Sequence, residues 1–295
     1  MKFELKNIDK EIKAFRSRMG VKKDRNVSVC NQLDVLNYAV YNAYRDMQPR
    51  TIKGHNIKQT DSLREELAKR FTEYFSNTPP VNSDDFNDLH KKLCSDFLSE
   101  LNKNVPEPQE FGKAQKVINM AFKYLYCFDD APQYESHFKY CHMPIDSYTL
   151  NWCFENGLYQ KKDIDNWSGI TETQYNQLSG KIESELGGET PLLAEFKIWP
   201  QEIAKVEEKE LAKSILDYLS NNYDSYNSGV FFTQLRQDKL DDTLKRKIQK
   251  VNNDRELDGL EPLDLPKLQE MLKALISSPL FLKIKEFLDN EANIR

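Results

Sequence analysis

The segment from Lys113 to Phe128 constrains this chain more than any other. Val117, Ile118, Met120, Ala121, Phe122, Tyr124, Leu125, Cys127 and Phe128 wrap nearly the whole circumference of a helix. A helix that is apolar all round has to be enclosed by other elements, because no face of it suits water. The elements available to enclose it are helices as well. Leu36, Ala39, Val40, Ala43 and Met47 fall at helical spacing, Leu63, Leu67, Phe71, Tyr74 and Phe75 repeat the stripe, and Phe86, Leu89, Leu93, Phe97 and Leu101 make a third. No alternating run is longer than Val27–Val29 and no internal repeat occurs. The reading is an all-α protein of about ten helices, with Lys113–Phe128 at its centre.

Proline and glycine punctuate the rest. Val105-Pro106-Glu107-Pro108 forbids helix continuation and divides an N-terminal helical part, 1–105, from a central core, 106–200. Asp129–His142 reads as a polar connection, and Pro144-Ile145-Asp146-Ser147 opens a helix carrying Tyr148, Leu150, Trp152 and Phe154. Thr171 and Gln174 have capping-box spacing ahead of Tyr175, Leu178, Ile182 and Leu186, and Gly187-Gly188 stops that helix. Pro191 to Pro200 reads as an apolar loop that seals the core. Pro200, Pro266 and Pro279 are placed at first turns, with Asp264 and Ser278 as caps ahead of the last two, in a helical C-terminal extension, 201–295.

Ten glycines among 295 residues is about half the usual share, which weighs against β-sandwiches, Rossmann sheets and glycine-rich phosphate cradles. No Walker, GxGxxG, HExxH or GxSxG pattern occurs, and no cofactor is expected. The chain is 39% hydrophobic, too apolar to be disordered, yet no run approaches the ~18–20 apolar residues of a membrane span. Met1–Lys10 lacks an apolar signal core, and five cysteines, an odd number, fit a reducing compartment, so a cytoplasmic protein away from membranes is expected. The net charge of -5 conceals an asymmetry: residues 1–58 carry +7 and the remainder -12. A local basic cluster on an acidic body is what a phosphate-tracking surface needs, and Lys22, Lys23, Arg25, Arg45, Arg50 and Lys53 are its candidate nucleic-acid contacts.

Lys116, Asn119 and Lys123 are polar groups on the otherwise apolar central helix. Burying an ammonium is costly unless it is paired or its pKa falls, so a lysine here is a candidate for chemistry. Asp146 at the next helix start supplies a carboxylate. An amine and a carboxylate facing one another is the arrangement that iminium-forming chemistry requires. The competing reading has Asp146 merely capping its helix and Lys116 reaching water.

A glycine followed by lysines opening an apolar helix, Gly112-Lys113-Ala114-Gln115-Lys116, and then Met143-Pro144-Ile145-Asp146 opening the next, resembles the helix-hairpin-helix DNA glycosylase superfamily, particularly its archaeal 8-oxoguanine branch. The resemblance covers about residues 105–155. It implies that Asp146 is the essential aspartate and that Lys116 or Lys113, 30 or 33 residues before it, attacks the sugar's anomeric carbon. The implied partner is double-stranded DNA with a flipped, damaged or modified base. Pro106 to Gly112 supplies one glycine and two acids in place of the family's glycine-rich hairpin. Base flipping needs aromatic walls, for which Phe122, Tyr148 and Trp152 are the candidates.

Two smaller patterns compete. Arg50 and His55 have the Arg-x4-His spacing that resembles HEPN ribonucleases, bracketed here by Pro49 and Gly54. Cys127, His137, Cys141, His142 and Cys153 crowd one stretch and could be zinc ligands or buried thiols, with no CxxC among them. A helical interaction or regulatory protein without chemistry remains the alternative to an enzyme.

Overall fold

A computed structural model of the chain describes residues 8–21, 33–52, 61–103, 105–222, 242–264, 266–268 and 270–271. They are all-α, with no strand among the described residues. The helices are α1 (Asp9–Met19), α2 (Leu33–Asp46), α3 (Asp61–Ser76), α4 (Ser83–Lys103), α5 (Phe111–Tyr126), α6 (Glu135–Phe138), α7 (Ser147–Glu155), α8 (Glu172–Leu186), α9 (Pro191–Asn222) and α10 (Asp242–Leu257). Short 3-10 turns cover Pro49–Thr51, Ala131–Tyr134 and Trp167–Gly169.

Helix α5 is the axis of the larger of two compact units, Met1–Glu202 and Ile203–Arg295. Every residue from Phe111 to Leu125 is buried. α2, α4, α8 and the Trp167–Gly169 turn pack around it, while α3 lies against α2 and α4. The 1–105 and 106–200 segments therefore share one core, and the Pro106–Pro108 break is an exposed turn between helices of the same unit.

Local signals end several helices as the sequence reads. Thr171 and Gln174 form a reciprocal capping box at the start of α8, and Gly187 adopts the left-handed conformation at its end, with φ 64°. The Asp264 carboxylate accepts from Lys267 N at 3.0 Å. Ser278 and Pro279 lie outside the described residues.

Pro191–Pro200 is a correction: it is helix, not loop. Pro191 occupies the first turn of α9, where its missing N–H costs nothing, and Leu192, Ala194, Phe196 and Ile198 are turned into the core. Pro200 is correspondingly interior to α9 rather than at a helix start. Asp129–His142 also holds more structure than a polar connection, since α6 and its preceding turn bury Phe138 and Ala131, and Cys141 just beyond them is buried too. In the second unit Arg255 is clamped by Glu208 and by the Glu261 carbonyl, and Leu211, Ile215, Leu244, Leu263 and Leu268 are buried.

Candidate active site

The polar residues of α5 divide between two strips, because positions three or four apart share a face. Gln115 and Asn119 form one, on the face that also carries Phe122. Lys113, Lys116 and Lys123 form the other.

The first strip builds a clamp. The Gln115 side chain donates to Ile145 O at 2.7 Å and accepts from Ile145 N at 3.1 Å, and Asn119 Nδ2 donates to Met143 O at 3.2 Å. A buried chain segment must find partners for its backbone groups, and these two amides supply them to Met143-Pro144-Ile145 without a strand. The segment is thereby fixed along α5, and it delivers Asp146 to the lysine strip.

Asp146 then does two jobs at once. One oxygen, Oδ1, accepts from Tyr148 N at 2.9 Å and Thr149 N at 3.1 Å, capping α7 in a box completed by Asp146 N donating to Thr149 Oγ1. The other, Oδ2, lies 3.5 Å from Lys116 Nζ, with the two side chains only 8% and 9% exposed. The capping and the ion-pair readings are thus both realised, and Lys116 is buried rather than in water.

Lys113 is held differently. Its Nζ donates to Met47 O at 3.2 Å and to Thr51 Oγ1 at 3.1 Å, both neutral oxygens beyond the end of α2. Burial, and then the neighbouring Lys116 ammonium, push the Lys113 pKa below its ordinary 10.5. The Trp167 ring covers both amines, with Nζ to centroid distances of 4.9 Å for Lys113 and 4.5 Å for Lys116. Gly112 allows the Trp167 turn to come this close, because a Cβ there would stand 2.0 Å from Trp167 O. Beside the pair, Asp46 accepts from the Tyr124 hydroxyl at 2.6 Å. Burial raises the Asp46 pKa, while Tyr124 and Lys116 oppose the rise.

Further along the strip, Lys123 pairs with Glu195 of α9, each side chain 1% exposed. Phe15, Phe196 and Trp199 wall the ammonium at 4.1, 4.8 and 4.9 Å. Burial raises the Glu195 pKa and Lys123 opposes it.

The structure therefore brings Asp146, Lys116 and Lys113 together. Phe122 is a correction: it shares the strip of Gln115, faces away from the lysines, and is fully buried between Phe71 at 4.8 Å and Tyr74 at 5.3 Å. Trp152 belongs to the core, 8% exposed. Tyr148 is partly exposed and meets Trp199 edge-on at 6.3 Å. Arg45 and Arg50 are exposed near the end of α2. Lys22, Lys23, Arg25, Lys53 and His55 lie outside the described residues, and with His55 the Arg50–His55 pairing. Cys127, Cys141 and Cys153 are buried free thiols, and no cluster of three or more His, Cys, Asp and Glu suited to a metal occurs among the described residues.

The sequence reading missed Trp167 and Gln115. Trp167 sits in a polar stretch without periodicity, and the partner of Gln115 is thirty residues away.

Comparison of the chain with protein-family models, curated proteins and solved structures found no match. The functional reading therefore rests on the site alone.

Proposed function

We propose that the chain is a DNA base-excision glycosylase in which Lys113 is the nucleophile. The observation that carries this reading is the unlike treatment of two neighbouring amines. Lys116 contacts a carboxylate, whereas Lys113 is hydrogen-bonded to neutral oxygens and has its pKa lowered by burial and by Lys116. In the proposed step the Lys113 nitrogen attacks the anomeric carbon of the damaged nucleotide. The bond to the base breaks with its electron pair leaving on the base. Asp146, fixed by its cap, offsets the positive charge that develops on the sugar. Exposed Arg45 and Arg50 would serve the DNA backbone.

The test is incubation with duplexes carrying uracil, 8-oxoguanine, alkylated or glucosylated hydroxymethyl bases, scored for abasic sites and for a borohydride-trapped protein–DNA adduct. Lys113→Met is expected to abolish trapping. Lys116→Met should retain a trappable adduct, and Asp146→Asn should slow base release roughly 10²- to 10⁴-fold. Base release by the native protein without an adduct would remove Lys113 as nucleophile. No release from any substrate would remove the reaction class.

One observation favours a second reading, a helical interaction protein without chemistry: Lys113 closes the end of α2 and Asp146 caps α7, so each has a structural task. Under it the same substitutions lower stability and change no reaction.

A further inference from the structure

Lys113, Lys116 and Asp146 are each 6% exposed. A ligand atom reaches Lys113 only after something moves, and the Trp167 ring is what covers both amines. The backbone carrying Trp167 is fastened. Gly112 N donates to Ile170 O at 2.8 Å, and Asn166 Oδ1 accepts from Gly169 N at 3.0 Å and from Ser168 Oγ at 2.7 Å. Gly112 itself packs with no room for a Cβ against Trp167 O and Ser168. The turn is fixed, while the indole, partly buried against the core, is joined to it only through its own side-chain bonds.

Rotation of the indole alone would strip the two buried amines of their ring cover, and for a charged amine that loss is larger in a desolvated site than at a surface. An entering ring with electron density on its face would restore it. We infer that Trp167 is an internal stand-in for the site's ligand: the slot above Lys113 and Lys116 takes an electron-rich planar ring, and the indole swings out as that ring enters. The inference rests on the glycosylase reading only for where the ring comes from, a base displaced from nucleic acid. The slot itself follows from the two amines, their cover and the anchored turn. The movement therefore exchanges one ring cover of the two amines for another.

The full chain and its Trp167→Ala variant are treated with formaldehyde and cyanoborohydride, and methylation at Lys113, Lys116 and Lys123 is followed by mass spectrometry. Lys113 and Lys116 are expected to react slowly in the native protein and about tenfold faster in the variant. Lys123 should stay slow in both, which reports an intact core. Free indole added to Trp167→Ala should return Lys113 and Lys116 to the native rate. If Lys123 also becomes reactive, Trp167→Phe and Trp167→Leu replace the alanine variant: both fill space, and the phenyl ring alone must keep the amines slow. Unchanged labelling in Trp167→Ala, failure of indole to protect, or equal labelling of the Phe and Leu variants overturns the inference. Substituting an oligonucleotide bearing a mispaired base for indole identifies the ring's source, since protection by it and not by the free nucleoside shows that the ring arrives on nucleic acid. Protection by indole alongside no base release from any duplex leaves the slot standing and ends the glycosylase reading.

Discussion

Lys123→Met is expected to lower the stability of the larger unit by about 3–5 kcal/mol, the cost of leaving one member of a buried ion pair alone. Glu195 would then sit 1% exposed beside Phe196 and Trp199 with its cation gone, and it would have to take up a proton or pull in water. The converse change, Glu195→Leu, strands the ammonium between the Phe15, Phe196 and Trp199 rings, which attract it but do not neutralise it. The double variant Lys123→Met, Glu195→Leu is expected to recover most of the loss, because two apolar side chains fill the space without a desolvated charge. Denaturant melts of the two single variants and the double variant provide the measurement. Single changes costing under about 1 kcal/mol, or a double change costing the sum of the singles, would mean that the pair is not desolvated as described.

Acid should destabilise the protein through a second buried network. Asn119 Nδ2 donates to Tyr175 Oη at 2.9 Å, leaving that hydroxyl to donate to His142 Nδ1 at 2.9 Å, while His90 Nε2 faces the Asn119 oxygen at 2.9 Å. An accepting Nδ1 makes the His142 imidazole neutral, and the two rings stand 4.8 Å apart. Burial lowers the His90 pKa from 6.5 to about 4, with Asn119 opposing, and burial followed by the His90 charge lowers that of His142 well below 6.5. The other titratable groups nearby are Cys94, Tyr175 and Glu183, the last 3.7 Å from His142 Nε2. Well above pH 6.5 the folded and unfolded chains bind the same number of protons at these sites and the histidines contribute no pH dependence. Below it the unfolded chain takes up protons that the folded one refuses, so stability falls with pH until the folded pKa values are reached. His90 alone accounts for about 3 kcal/mol by pH 4, and the slope approaches ~1.4 kcal/mol per pH unit per histidine. His90→Gln, which keeps a donor for Asn119, should roughly halve the slope between pH 6 and pH 4.5. A flat profile over that range would contradict neutral burial of the pair.

How far these features could be read from sequence depended on how far away their partners lie. All-round apolarity announced α5, and the lysines on it were conspicuous as charges among Val117, Ile118 and Phe122. Thr171 with Gln174, Gly187 and Asp264 are local signals, and each acts where local signals act, at a helix end. The face of α5 on which Phe122 lies was not legible, because a helix apolar all round has no polar side to tell which way it is turned. Pro191–Pro200 resembled a loop because two prolines bracket it, although proline at a first turn and an apolar stripe at Leu192, Phe196 and Trp199 equally describe a buried helix. The clamp of Gln115 on Ile145 and the cover of Trp167 over Lys113 join residues that no spacing rule connects.

The central claim is that the fold sets Lys113 apart from its neighbours as an amine biased towards its neutral form. Nitrogen-15 NMR of the lysine side chains, titrated from neutral to alkaline pH in the native protein and in Lys116→Met, measures this directly. Lys113 is expected to titrate below 10.5, and its pKa to rise when the Lys116 charge is removed while remaining depressed by burial. A Lys113 that titrates at or above 10.5 and does not respond to Lys116→Met would contradict it.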